Sequence, residues 1–342
     1  MPTGQAGKHM PRGPLNRRDF ISCLGGAAAW PLAARAQPAD QMRRIGVLTV
    51  FSKDDPEGQR RIAALLQRLQ ELGWADGRNV RIEFRWAGGD PDQSRFYAGE
   101  LVGMKPDVIL VNNALVMPLL QKETHIIPIV FVAIADPVVA GIVTNLARPG
   151  GNITGFTTGE YAIGGKRLEV LKEVAPDVAR VTVILDPRQP NQVGVARAIE
   201  AAGPSFRVDV TMAGVRDGTE IERAIDAAAR EPNSGLIVFA SLVTNAHRRM
   251  IIERAAGHRL PVIYDFRYFV TEGGLVSYGH DPAELYREAA VYVDRILKGA
   301  KAGELPVQNP TNYELIINLK TARALGLTIP ESFLLRANEV IE

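Results

Sequence analysis

Three acids in this chain follow apolar runs. Asp136 comes after Phe131-Val132-Ala133-Ile134-Ala135, Asp186 after Val183-Ile184-Leu185, and Asp265 after Val262-Ile263-Tyr264. An acid delivered to the end of a buried strand can hold an ammonium group or cap the next helix. Asp265 has the strongest case for binding, because Tyr264 and Phe266 flank it and a ring could stack while the acid grips an amine. Asn112, Asn113 and Ala114 follow another apolar run. Two amides there supply donors and acceptors, and a helix N-terminus behind them would offer backbone N–H groups to a carboxylate. Thr157, Thr158 and Ser241 add hydroxyls at strand ends, and Phe51, Ser52 and Tyr278 could line the floor and rim. The set suits non-covalent capture of a small zwitterion. Plain capping reads several of these residues equally well, above all Asp136 before Pro137.

Alternating strands and helices must carry these residues. Arg44-Ile45-Gly46-Val47-Leu48-Thr49 reads as a buried strand. Glu57 to Leu72 reads as a helix ending at Gly73, with Ile62, Leu65, Leu66 and Leu69 on one face. Val80 to Trp86 alternates with period two, and a helix follows from Pro91 to Met104. Strands are predicted at 107–111 and 128–132. The pattern restarts at Arg180-Val181-Thr182-Val183-Ile184-Leu185, with helices near 190–202, 217–230 and 244–257 and strands at 206–211, 235–239 and 261–264. Such alternation implies parallel sheets with helices on both faces.

Two local matches suggest a duplicated lobe. Lys105-Pro106-Asp107-Val108-Ile109 is answered by Glu231-Pro232-Asn233-Ser234-Gly235, and His125-Ile126-Ile127-Pro128 by His258-Arg259-Leu260-Pro261. The expected division is an export signal at 1–36, lobe 1 at 43–155 plus about 267–305, and lobe 2 at 156–266 plus about 306–342. Arg148-Pro149-Gly150-Gly151-Asn152 is the expected crossing. Gly274 to Tyr278 and a helix from Pro282 to Lys298 are expected to return to lobe 1.

The N-terminus carries its own signal. Asn16-Arg17-Arg18-Asp19-Phe20-Ile21 precedes a short apolar run ending in Ala34-Arg35-Ala36, a small-x-small cleavage site before Gln37. This order is an export leader of twin-arginine type, and the apolar run is too short to span a bilayer. The leader holds Lys8, Arg12, Arg17, Arg18 and Arg35 against Asp19, a net +4, whereas the whole chain is +2. The mature part is therefore about −2, and no basic cluster suggests nucleic acid. Its single cysteine, Cys23, falls in the leader, so the mature part has neither disulfides nor thiol chemistry. A mature chain of this size predicts two lobes.

Enzyme signatures are missing. There is no G-x-G-x-x-G after the first strand, no phosphate loop and no G-x-S-x-G elbow. His125, His247, His258 and His280 lie at no metal-ligand spacing, and no cofactor or metal is expected. An exported two-lobed α/β chain of this kind points to a solute receptor that closes on its ligand by a hinge. A sensor receptor handing its signal to a membrane protein is the main alternative; an exported small-molecule hydrolase is the weaker one. Neither Tyr264, Phe266, Phe51 nor Trp86 requires an aromatic ligand, but together they permit one.

The chain as a whole resembles the periplasmic substrate-binding proteins of ABC transporters, in their tryptophan/tyrosine-type group. The likeness rests on the leader and on Gln70-Glu71-Leu72-Gly73-Trp74-Ala75-Asp76-Gly77-Arg78-Asn79-Val80. It also rests on Ala135-Asp136-Pro137-Val138, on Ala147-Arg148-Pro149-Gly150-Gly151-Asn152-Ile153-Thr154-Gly155, and on Ile317 to Leu327. It implies a type I periplasmic-binding fold, with two Rossmann-like lobes joined by a multi-crossing hinge. It implies a periplasmic monomer that binds an amino-acid-like carboxylate and works with an ABC permease and ATPase complex. Two departures stand out. Asn112-Asn113-Ala114-Leu115 replaces the family's Gly/Ser/Thr-rich turn, and Asp186-Pro187 stands where relatives carry Asn-Pro.

Overall fold

The computed structural model describes residues 42–342 except Asn113 and Glu160, so the leader lies outside the described residues. Among the described residues, twelve strands form two sheets. The first orders β2-β1-β3-β4-β5, all parallel, from β1 (Arg43–Thr49), β2 (Val80–Trp86), β3 (Val108–Val111), β4 (Ile129–Val132) and β5 (Ile153–Phe156). The second orders β12-β11-β10-β9-β8-β6-β7. Its strands are β6 (Arg180–Leu185), β7 (Asp209–Gly214), β8 (Ser234–Val238), β9 (Val262–Tyr264), β10 (Val276–Gly279), β11 (Glu314–Asn318) and β12 (Glu339–Ile341), with only β10 and β11 antiparallel. Strands buried on both faces explain the continuous Val/Ile/Leu runs. The order β7-β6-β8-β9-β10 repeats β2-β1-β3-β4-β5, which is the duplication suggested by the sequence. Even the pairings match, since Ile109 N–H donates to Pro128 O and Leu236 N–H to Pro261 O, each at 2.9 Å.

Helices cover both sheets. Three belong with the first, α1 (Pro56–Glu71), α2 (Pro91–Gly103) and α3 (Met117–Glu123). The second has α4 (Ile163–Val174), α5 (Pro190–Phe206), α6 (Gly218–Ala229), α7 (Leu242–Ala246), α8 (Arg248–Gly257) and α9 (Arg267–Thr271). α10 (Pro282–Leu297) follows, then α11 (Leu319–Ala324) and α12 (Glu331–Leu334). α10 returns to the first sheet, where Leu285, Tyr286, Ala289, Val293 and Leu297 share a core with Ile62, Leu65 and Leu69 of α1. α4 does the reverse, its Leu168, Leu171 and Val174 packing into the second sheet's core.

Two of the crossings differ from the sequence expectation. The turn 148–152 is no crossing; it leads into β5, still in the first sheet, with Gly150 N–H on Gly303 O at 3.2 Å. β10 stays in the second sheet between β9 and β11, so the chain returns after Gly279, not at 267. Symmetry supplies the reason, because β10 is the counterpart of β5 and each is followed by a helix exchanged to the other lobe. A third crossing runs between 309 and 313, after residues 305–308 have paired along β5. Two elements also shift. α5 continues to Phe206 and displaces the next strand to 209–214, and the helix expected at 244–257 is broken at His247.

Candidate functional site

Side chains staple the strand ends on each side of the cleft. In the first lobe Asn112 Oδ1 accepts from Val50 N–H at 3.0 Å, joining the ends of β3 and β1. In the second, Gln192 Oε1 accepts from Asp186 N–H and its Nε2 donates to Ala240 O, both at 2.8 Å. Asp265 Oδ2 then accepts from Ala240 N–H at 2.8 Å. The ends of β6, β8 and β9 are thus held in one polar floor. Between the lobes lies a cavity of about 190 Å³.

Five predicted residues line that cavity: Phe51, Asn112, Thr158, Ser241 and Asp265. Ser241 also caps α7 through a reciprocal pair with Thr244, so it is largely committed. The others are placed elsewhere. Ser52 is exposed in the loop after β1, and Ala114 is exposed at the start of a short 3-10 helix, Ala114–Val116. Asn113 lies outside the described residues. Asp136, with φ 37°, accepts from Val139 N–H at 3.1 Å and borders a neighbouring cavity with Thr157 and Asn309, which shares Gly159 and Tyr161 with the first. Its local turn absorbs the carboxylate that was expected to face the ligand. Thr157 is a hinge clamp: its hydroxyl donates to Asn309 Oδ1 at 2.5 Å and ties the first crossing to the third. Asp186 is buried and grasped by Arg188, whose Nε and Nη2 donate at 2.9 and 2.8 Å. Burial alone would raise its pKa, but the Arg188 bonds prevail and hold it below the usual carboxylate value. Tyr278 stacks on Tyr313 beside the hinge, with ring centroids 5.8 Å apart. Trp86 packs against Phe84 and the first core.

The basic residues of the cavity escaped the sequence reading. Arg61, Arg167 and His280 all line it, each less than 8% exposed. Arg61 lies on the apolar face of α1, with Gly58, Ile62 and Leu65 buried around it. Arg167 lies on the apolar face of α4, with Gly164, Leu168 and Leu171. A cation on a buried helical stripe was the available signal, since such a charge is almost never buried without a task or a partner.

Their surroundings define the electrostatics. The Arg61 guanidinium sits 4.8 Å above the Phe51 ring, while its nearest acid, Glu57, is 4.0 Å away and bonded to Arg60. Arg61 Nε has no protein hydrogen-bond partner among the described residues. Arg167 Nε donates to Tyr278 O at 3.0 Å, and its Nη1 approaches Asp265 Oδ1 to 2.7 Å. That approach is out of line for a hydrogen bond, so Oδ1 keeps an accepting lone pair. Burial pushes the Asp265 carboxyl up, against the pull of Arg167 and of the Ala240 N–H. His280 stands edge-on to Phe266 and its Nδ1 is also unpartnered. Burial, reinforced by Arg167 and Arg61, lowers its pKa to about 3, so it is neutral near pH 7. Each such orphaned group costs about 1–3 kcal/mol unless something in the cleft satisfies it. Among the described residues the site therefore offers a guanidinium whose Nε lacks a hydrogen-bond partner, one half-free carboxylate, a neutral imidazole and the Phe51, Phe239 and Phe266 rings.

Two lobes of mainly parallel sheet, exchanging helices and enclosing a polar cavity at their strand ends, define the type I periplasmic-binding fold. A family model described as "ABC transporter substrate binding protein" matches residues 44–341, and the chain belongs to that family. It is 26% identical over 288 residues to the Tyrosine-binding protein of Clostridioides difficile (strain R20291), covering 84% of this chain and 82% of that one. Among solved structures it resembles the ABC domain in complex with L-Trp from Streptococcus pneumonia, at 25% identity and a TM-score of 0.80 over 88% of this chain and all of that one. A conserved domain protein from Vibrio cholerae, 27% identical, also matches at a TM-score of 0.78, over the same shares.

Proposed function

We propose that the protein is the extracytoplasmic receptor of an ABC importer and captures a small amino-acid-like carboxylate, an aromatic amino acid foremost, in the inter-lobe cleft. The carrying observation is the cavity itself, lined from both lobes and holding buried Arg61, Asp265 and His280 with unmet hydrogen-bonding capacity. The Phe51, Phe239 and Phe266 rings give it an apolar component that an aromatic or branched side chain would cover. The ligands named for the C. difficile and streptococcal relatives support the same class.

Binding works by closure. A ligand touching both lobes favours the closed arrangement and shifts the population toward it, and the closed protein would deliver its ligand to a permease and ATPase complex. Export of the monomer through Arg17-Arg18 and processing after Ala36 would place it on the outer side of the membrane. The test is a thermal-shift screen of the purified protein against amino acids, their amides and aromatic acids. A ligand at 100 times its dissociation constant stabilises by about 2.7 kcal/mol. Chromatography should recover the ligand unchanged. A well-folded protein with no hit among amino acids would remove this assignment.

A further inference from the structure

Which end of the ligand each lobe holds is a separate question, and its answer rests on the receptor reading above. Arg61 comes from α1 in the first lobe, Asp265 from the end of β9 in the second. Both line the same cavity, and each has a buried polar atom with no hydrogen-bond partner among the described residues: Nε on Arg61, 4.0 Å from Glu57, and Oδ1 on Asp265, 2.7 Å from Arg167. The other charges around them are already matched. Arg60 bonds both Glu57 and Asp281, at 3.2 and 2.9 Å, and Arg167 lies against Asp265. Arg60, Arg61 and Arg167 thus face Glu57, Asp265 and Asp281, three cations against three anions. Such a set accepts a net-neutral ligand without leaving a buried excess charge.

We propose that a bound amino acid lays its α-carboxylate on Arg61 and its α-ammonium on Asp265 Oδ1, so that opposite lobes hold the ligand's two charges. Arg167 is then a positioning residue. It fixes the Asp265 carboxylate from behind while Ala240 N–H holds Oδ2. The neutral imidazole of His280 can accept or donate beside either group. On this arrangement the zwitterion itself is the bridge between lobes. An analogue with one charge engages one lobe only.

The experiment is calorimetry on the wild-type protein with three groups of probes. The first is L-tyrosine, L-tryptophan and the other standard amino acids. The second is L-tyrosinamide and L-tryptophanamide, which lack the carboxylate. The third is 3-(4-hydroxyphenyl)propionate and indole-3-propionate, which lack the ammonium. Both truncated groups should bind at least 100-fold more weakly than the parent amino acid. Arg61→Gln should abolish the preference for acid over amide, and Asp265→Asn the preference for amino acid over desamino acid, with Arg61→Lys restoring part of the first. Should either variant fail to fold, the wild-type analogue series decides alone. If the wild type binds an amino acid and its amide equally, or an amino acid and its desamino form equally, the charge division is overturned while the receptor reading stands. If it binds no amino acid, both fall.

Discussion

At the scale of single residues, the Arg167–Asp265 contact carries the largest stake. Both side chains are buried, so Arg167→Met leaves a carboxylate in a low-dielectric site with no counter-charge, a loss of about 3–5 kcal/mol. The sign of its pH dependence follows from the raised Asp265 pKa. That carboxyl's stabilisation is fully present below the unfolded value and lost as pH rises through the folded one. Urea melts should therefore show R167M more impaired at pH 7 than at pH 5, with Arg167→Met/Asp265→Asn recovering much of the loss. Equal stability of R167M and wild type at pH 7 would contradict the pairing. His280 runs the other way. Folded, it stays neutral down to about pH 3, while the unfolded chain takes a proton near 6.5. Stability falls as pH drops through that window, and His280→Asn should flatten the slope by up to about 1.4 kcal/mol per pH unit. Unchanged slopes would mean the imidazole is not buried neutral. Sequence exposed Asp265 because it ends an apolar run beside two aromatics. It hid Arg61 and Arg167 because helix periodicity marks which face is buried, not which buried charge points along the helix toward a cleft.

At the scale of elements, strand ends were legible and their exchange between lobes was not. Period-two and continuous apolar runs located β1 to β4 and β6 nearly to the residue, since strands buried in a parallel sheet read as apolar runs. The lobe of β10 depends on which edge a short strand meets, which its four residues do not encode. Once placed, it is held closely. A Cβ on Gly279 would fall 1.9 Å from Asp265 O, so β10 can lie against the end of β9 only because residue 279 has no side chain. Gly279→Ala should push the strand away and loosen the neighbouring Tyr278 O–Arg167 bond. A cost of about 1–3 kcal/mol is expected from overpacking, with weakened ligand binding because Arg167 also positions Asp265. Denaturant midpoints and calorimetry on the same preparation check both effects; an unaltered midpoint would show that the two strands have room to part.

At the scale of the molecule, three crossings share the load of the hinge. Thr157 joins the first to the third through Asn309, while Gln308 exchanges backbone bonds with Gly155 and Thr157. The second crossing is the short His280-Asp281 segment, where Asp281 caps α10 and also meets Arg60 of α1. On the receptor reading proposed above, the lobes would open about these crossings, and closure would need a ligand that reaches both walls. Arg61 and Asp265 are those walls in the charge division argued above. The amino acid that binds should therefore shrink the protein's radius of gyration in small-angle scattering, and its amide and desamino forms, at concentrations that saturate them, should not. Compaction by the desamino acid alone would show that Arg61 and the rings suffice to bring the lobes together. A radius unmoved by the saturating parent ligand would show that capture proceeds without closure.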